Sequence, residues 1–344
     1  MADPTLALHA PGAEPQRSPA IALSAQPECY CPVCMHAASP EIVENFYSYS
    51  LRECPDCRLQ FWEPRQMPDA RWYSAMYGER DSRILPLEPG HNFFLRDALA
   101  PRGGRLLDVG CGTGNFLIAA TDAGYSVSGI ELDPAAASFA AEHCPPGRVF
   151  SVPLETFRSQ HPNEMFDVVT FFEVLEHQAD PAAFLREIRS CLRPRGFIAL
   201  SVPNRQRWQT SMDALDYPPN HFLRWNPQSL QIAMTAHRFS VLSIECETPT
   251  VAYTAQQINS RLRTGLSRTL APELPNWFRD EMQEDPEQKA KRNGVRPSLR
   301  SRAVEFLGRA KHAACFPIAL AATPYVRWRR FAGSYLYCLA RRLD

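Results

Sequence analysis

Two residue patterns in this 344-residue chain could do chemistry. The first runs Arg105-Leu106-Leu107-Asp108-Val109-Gly110-Cys111-Gly112-Thr113-Gly114-Asn115-Phe116. An apolar strand delivers an acidic residue, then glycines at alternate positions, then a helix start. Glycines there let the backbone turn sharply and let a ligand approach the main chain with no Cβ in the way. A dinucleotide loop, G-x-G-x-x-G, needs glycine at 115, where this chain has Asn115. About 20 residues on, Val127-Ser128-Gly129-Ile130 ends in Glu131, where a nucleotide-binding α/β unit keeps the carboxylate that accepts from ribose hydroxyls. The second pattern is Cys31-x-x-Cys34 and, beyond 19 intervening residues, Cys54-x-x-Cys57. That spacing brings four thiolates onto one ion and closes a tetrahedral shell, so the expected metal is a structural Zn²⁺ with no open position.

The elements needed to position these residues follow from periodicity. Strands are expected near 105–109, 125–130, 148–151, 166–171, 197–202 and 239–245. Helices between them start at the Asx-Pro pairs Asp133-Pro134, Asp180-Pro181 and Asn226-Pro227, an N-cap followed by a first-turn proline. Such alternation implies a parallel sheet covered on both faces, with ligands at the carboxyl ends of the strands. Asp108, the glycine loop, Glu131 and Phe172 all fall at those ends.

The glycine run resembles motif I of the class I S-adenosylmethionine-dependent methyltransferases. A second stretch runs Phe166-Asp167-Val168-Val169 through Glu173-Val174-Leu175-Glu176-His177 and Asp180-Pro181 to Arg193-Pro194-Arg195-Gly196 and Ser201-Val202-Pro203-Asn204. It resembles the subgroup that includes ubiquinone-biosynthesis O-methyltransferases and bacterial glycan methyltransferases, and the resemblance covers roughly residues 101 to 245. It implies a Rossmann-like doubly wound sheet, mostly parallel with an antiparallel last strand. S-adenosylmethionine would be held by Asp108, Gly110, Gly112, Gly114, Glu131 and Phe172. Cys31-Pro-Val-Cys34 and Cys54-Pro-Asp-Cys57 resemble rubredoxin-like knuckles, as in a zinc ribbon.

Methyl transfer to a hydroxyl gains from a general base, and an imidazole suits one near neutral pH. The candidates are His177 and His221, both in loops after strand ends. His221 also matches a segment that lies near the acceptor in relatives. Glu173 and Glu176 share that mouth, where Glu176 could orient His177 or bind a cationic group.

The expected organisation is a disordered tail at 1–27, a zinc-ribbon-like module at 28–63 and a helical cap or linker at 64–100. The core at 101–245 follows, then a helical insertion at 246–332 and the final strand at 333–344. Trp72, Tyr73, Met76 and Tyr77 in the cap either cover the cofactor or pack on the core, and Cys29 is a spare thiol. Lys plus Arg and Asp plus Glu both number 37, so no global basic field points to nucleic acid. The tail lacks the apolar stretch of a signal peptide and no run is long enough to span a bilayer, which makes cytoplasm the expected compartment. Residues 313–326 form an apolar run of 14 residues broken by Pro317 and Pro324 and flanked by cations. A helix packed on the core is the first expectation there, and peripheral membrane contact through 313–330 the second.

The expected function is methyl transfer to a small-molecule or glycan-like acceptor, at oxygen. Two other readings remain at this point: C-methylation of a nucleotide-activated sugar, and a zinc-ribbon adaptor that keeps the fold only for binding.

Overall fold

A computed structural model of the chain describes residues 30–34, 40–66, 84–144, 148–208, 212, 214–255, 257–259, 315–329 and 332–344. The tail at 1–27, Cys29, the cap residues Trp72, Tyr73, Met76 and Tyr77, and most of the 246–332 insertion lie outside the described residues.

Seven strands form the main sheet. They are β4 (Gly104–Val109), β5 (Tyr125–Ile130), β6 (Arg148–Phe150), β7 (Phe166–Phe172), β8 (Leu192–Pro203), β10 (Phe239–Cys246) and β11 (Tyr335–Arg342), in the order β10-β11-β8-β7-β4-β5-β6. The chain winds outward from β4 in both directions, so the strand order reverses beside β4 and a crevice opens at the carboxyl ends there. β11 lies antiparallel between β8 and β10, as the sequence implies. The central strands are apolar on both faces because helices cover both, and Leu106, Leu107, Val168, Val169, Leu200 and Val202 are fully buried.

The helices begin where their caps are encoded. Asp133 accepts a hydrogen bond from the Ala135 amide at the start of α3 (Pro134–His143), Asp180 from Ala183 in α5 (Pro181–Cys191) and Asn226 from Ser229 in α6 (Pro227–Ala236). Two more helices follow strands directly: α2 (Asn115–Asp122) after β4 and α4 (Leu154–Gln160) after β6. From the cap region, α1 (Pro89–Arg96) packs Phe94 against Phe116 and Tyr125.

Strand β8 starts five residues before the expected 197. Leu192 already pairs with Phe166, and the Arg193–Gly196 stretch enters the strand through Arg195 at φ 63 and a register shift.

The cysteine module is a second, smaller antiparallel sheet: β1 (Glu41–Phe46), β2 (Tyr49–Glu53) and β3 (Gln60–Glu63). Its fourth strand comes from the core, where β9 (Leu223–Arg224) pairs with Gln60 and Phe61. The Trp62 amide donates to the Phe222 carbonyl at 2.9 Å, and its indole N–H donates to the Asp216 carbonyl at 3.0 Å. Trp62, Phe61 and Leu51 therefore share one apolar core with Phe222, Trp225 and Leu230.

Candidate active site

The four cysteines of the module converge. Cys31 Sγ lies 3.5 Å from Cys57 Sγ, Cys34 Sγ lies 3.5 Å from Cys54 Sγ, and all four sulfurs fall within 4.8 Å of one another. A disulfide would bring two of them to about 2.05 Å. Four ligands at a Zn–S distance of about 2.3 Å instead put sulfurs roughly 3.8 Å apart, which suits this cluster.

At the end of β4 the glycine loop is pinned by its own backbone. The Gly110 and Cys111 amides both donate to the Ile130 carbonyl, at 2.7 and 3.0 Å. Gly112, at φ 54, would point a Cβ into open space with nothing within 4 Å, leaving room for a ligand against the main chain. Gly114 does a different job: it caps α2 in the left-handed region, where a side chain would strike Cys144 Sγ and Ala140.

Glu131 is held ready by two amides. Gly112 N–H donates to Oε2 and Asp133 N–H to Oε1, each at 2.9 Å. Asp108 is buried and accepts from Thr170 Oγ1 at 2.7 Å, and burial pushes its carboxyl up to about 7. Phe172 ends β7 with its ring edge-on to Phe116 and to His91. His91 on α1 stacks on Phe116, and burial lowers its imidazole to about 4.

Asp108, Gly110, Gly112, Glu131 and Phe172 line one cavity of about 1030 Å³, together with His177 and His221. Gly114 supports this wall from behind. Two buried polar atoms of the wall, Thr113 Oγ1 and Asp133 Oδ2, have no hydrogen-bond partner among the described residues. A buried polar group left without a partner is costly, so both atoms suit a polar ligand.

The far end of the cavity is built by the turn after β7. Glu173 sits at φ 55 and accepts from Ser201 Oγ at 2.7 Å, and burial pushes its carboxyl up to about 8. Glu176 is fully buried, and no donor reaches either carboxyl oxygen among the described residues. Burial, reinforced by Glu173, drives its pKa well up.

His177 Nδ1 lies 2.5 Å from the Asn220 carbonyl. A carbonyl only accepts, so Nδ1 carries the proton and Nε2 keeps its lone pair. The His177 and His221 rings meet edge to face at 4.8 Å, and each Nε2 lies 3.9 Å from Glu176 Oε1. Burial lowers His177 to about 4 and holds His221 well below the usual imidazole range, the latter helped by His177, Arg207 and Arg224. Both imidazoles are therefore neutral near pH 7, and their contacts with Glu176 are not ion pairs. The Glu176 carboxyl and two imidazole nitrogens lie within 4.8 Å of one another, a donor set that would suit a divalent cation able to displace the carboxyl proton.

Some contributors carried no sequence signal of their own. His91 arrives on α1 and Glu88 at its N-cap, while Leu132, Pro153 and Leu154 form an apolar wall beside Glu131. The only clue to that wall is its position just past β5 and β6.

Comparison with known proteins bears on the same segment. Residues 82–244 match the family model of the methyltransferase domain. A ubiquinone biosynthesis O-methyltransferase of Thiobacillus denitrificans is 36% identical over 142 residues, covering 39% of this chain and 59% of the relative. Another, from Rhodopseudomonas palustris strain BisA53, is 29% identical over 184 residues, 48% of this chain and 71% of the relative. The chain thus spans 59% of the length of the Thiobacillus relative, and 49% of a third ubiquinone biosynthesis O-methyltransferase, from Bradyrhizobium sp. strain ORS 278, which is 35% identical over 129 residues. A solved S-adenosylmethionine-dependent methyltransferase from Mesorhizobium loti aligns with a TM-score of 0.42 at 17% identity, covering 72% of this chain and 95% of that one. The cysteine cluster and everything beyond residue 244 lie outside the matched segment.

Proposed function

We propose that this protein, whose residues 82–244 match the methyltransferase domain family, transfers a methyl group from S-adenosylmethionine to a hydroxyl of a small-molecule or glycan-like acceptor. The observation that carries the proposal is the continuity of the cavity, which runs from the glycine loop and Glu131 to the Glu176, His177 and His221 cluster.

Glu131 would accept from the ribose hydroxyls, since each of its oxygens keeps a lone pair after taking one amide. Leu132 and Leu154 offer an apolar surface for the base, and Gly112 leaves the main chain open to the methionine half. Bound there, S-adenosylmethionine supplies an electrophilic methyl on sulfur. Holding donor and acceptor in line is worth up to roughly 7–11 kcal/mol in well-oriented systems.

The acceptor hydroxyl belongs at the other end. A neutral imidazole, on His221 or His177, can take its proton. Alternatively, the two imidazoles with Glu176 would hold a divalent cation, which would lower the pKa of a bound hydroxyl in place of a side-chain base. Arg207 and Asp216, paired and buried beside Asn220 and His221, fix the loop that carries them. The cysteine cluster is read as a structural zinc site that braces this loop through β9.

The test is titration calorimetry with S-adenosylhomocysteine and with NAD, followed by methyl-label transfer to a panel of hydroxylated acceptors with and without added Mg²⁺ or Mn²⁺. Binding of NAD in place of the sulfonium product would overturn the proposal. So would binding without transfer across a panel that includes catechols, sugars and lipid-linked glycans, which would favour the adaptor reading.

A further inference from the structure

The helix at 315–328 stands apart from both apolar cores, packed on the helix at 251–255. Its inner face is made of small or compact residues: Cys315, Ala319, Thr323 and Val326 are buried. The rest of its circumference carries no charge before Arg327. Phe316, Ile318, Leu320, Tyr325 and Trp328 are 46 to 73% exposed, with Pro317, Ala321 and Pro324 between them. A helix that faces water with apolar side chains over its first three turns, and meets its first cation only at Arg327, leaves a contiguous patch that calls for a cover.

Charge says which cover. Between residues 306 and 343 the sequence has seven Lys or Arg and no Asp or Glu, in a chain whose charges otherwise balance at 37 each. A second copy would set this basic segment against itself, and like charges facing each other oppose association. An anionic lipid surface complements both features. Trp328 and Tyr325 beside Arg327 and Arg329 make the aromatic-and-cation pair that sits at headgroup level, while the aliphatic residues reach the acyl boundary. No described helix is long and apolar enough to cross a membrane. At about 1.5 Å per residue these 14 residues span roughly 21 Å, enough to lie in the interface plane.

We propose that the outer face of the 315–328 helix docks on an anionic lipid surface. The orientation matters to the cavity. Arg327 Nε donates to the Pro249 carbonyl at 3.0 Å, and the adjoining Thr250, Ala252 and Tyr253 line the cavity wall. Docking therefore brings that wall beside the headgroups. The inference uses residues outside the matched segment and holds whether or not methyl transfer is the reaction.

The experiment is flotation of the full-length protein with vesicles of phosphatidylcholine alone or mixed in equal parts with phosphatidylglycerol. The expected result is recovery with the anionic vesicles, weakened by salt and absent with phosphatidylcholine alone. Ile318→Ser with Trp328→Ser should weaken binding at least about tenfold, since two large apolar side chains leave the interface. Arg329→Glu should weaken it about tenfold by reversing one charge. Unchanged S-adenosylhomocysteine affinity and melting temperature show that the variants fold. The proposal is overturned by equal recovery with both vesicle types, by no recovery with either, or by binding that both variants retain. It also falls if light scattering finds a lipid-free dimer that Ile318→Ser with Trp328→Ser splits into monomers while vesicles go unbound.

Discussion

Replacing Glu131 with alanine tests the cofactor end of the cavity without an identified acceptor. In the free protein the carboxylate already accepts from the Gly112 and Asp133 amides at 2.9 Å, so it is positioned before ligand arrives. Hydrogen bonds to a charged group are worth about 1.5–3 kcal/mol each, and two ribose hydroxyls would give roughly 3–6. Burial opposes this: the Glu131 carboxyl is pushed up in pKa, so its removal relieves a cost the wild-type protein carries. The substitution also leaves the Gly112 amide, beside the ligand, without its acceptor. Setting relief against loss leaves about 2–3 kcal/mol, or roughly 30- to 150-fold in Kd. Calorimetric titration with S-adenosylhomocysteine at pH 7.5 reads this directly, with Glu131→Gln as an intermediate that keeps one acceptor oxygen. A Glu131→Ala protein that binds within twofold of wild type would refute the ribose assignment.

Three further outcomes are expected. Cys54→Ser should lower zinc content below one ion per chain and, because β9 belongs to the cysteine sheet, raise hydrogen exchange at the Phe222 and Leu223 amides; full metal content with unchanged exchange counts against it. Glu176→Gln and His221→Ala should each lower turnover about 10²–10⁴-fold with little change in S-adenosylhomocysteine affinity, and wild-type turnover in both would place proton removal elsewhere. Asp108 carries a raised folded-state pKa, so the folded protein binds more protons and this contribution is largest below about pH 4. It is lost as pH climbs to about 7, so in cofactor-free protein Asp108→Asn should shrink the fall in melting temperature between pH 5 and 8.5; an unchanged slope would remove Asp108 as its cause.

What could be read from the sequence was local. The Asx-Pro caps, the apolar strands and the glycine loop each depend on residues within a few positions of one another, and each lands where its pattern places it apart from the early start of β8 at Leu192. The cysteine spacing is equally local, two knuckles each turning on itself. The acceptor end was legible only as separate pieces. Glu176 and His177 follow β7 directly, but Asn220 and His221 join them from a loop more than 40 residues on, held there by the Phe222 amide donating to the Glu176 carbonyl. Nothing in Leu223-Arg224 says strand, because two residues have no periodicity. For the run at 313–326 the sequence alone favours a helix packed on the core. The structure packs one face of it and leaves the large side chains outside.

The pairing of Phe61 with Leu223 joins residues 162 positions apart (223 − 61), and it sets an order of events for a nascent chain. At about 5–20 residues per second of synthesis, β1, β2 and β3 wait roughly 8–32 seconds before their fourth strand exists. For that interval β3 is an open edge, with Phe61 and Trp62 lacking their cover. Metal captured early by the four thiolates would hold the knuckles closed through that wait. The same long-range pair means that the segment recognised by family and the segment able to fold are not the same length of chain. Cut at residue 82, the domain would leave the ribosome with Phe222, Leu223 and Trp225 turned toward water, and aggregation of that fragment is the expected result.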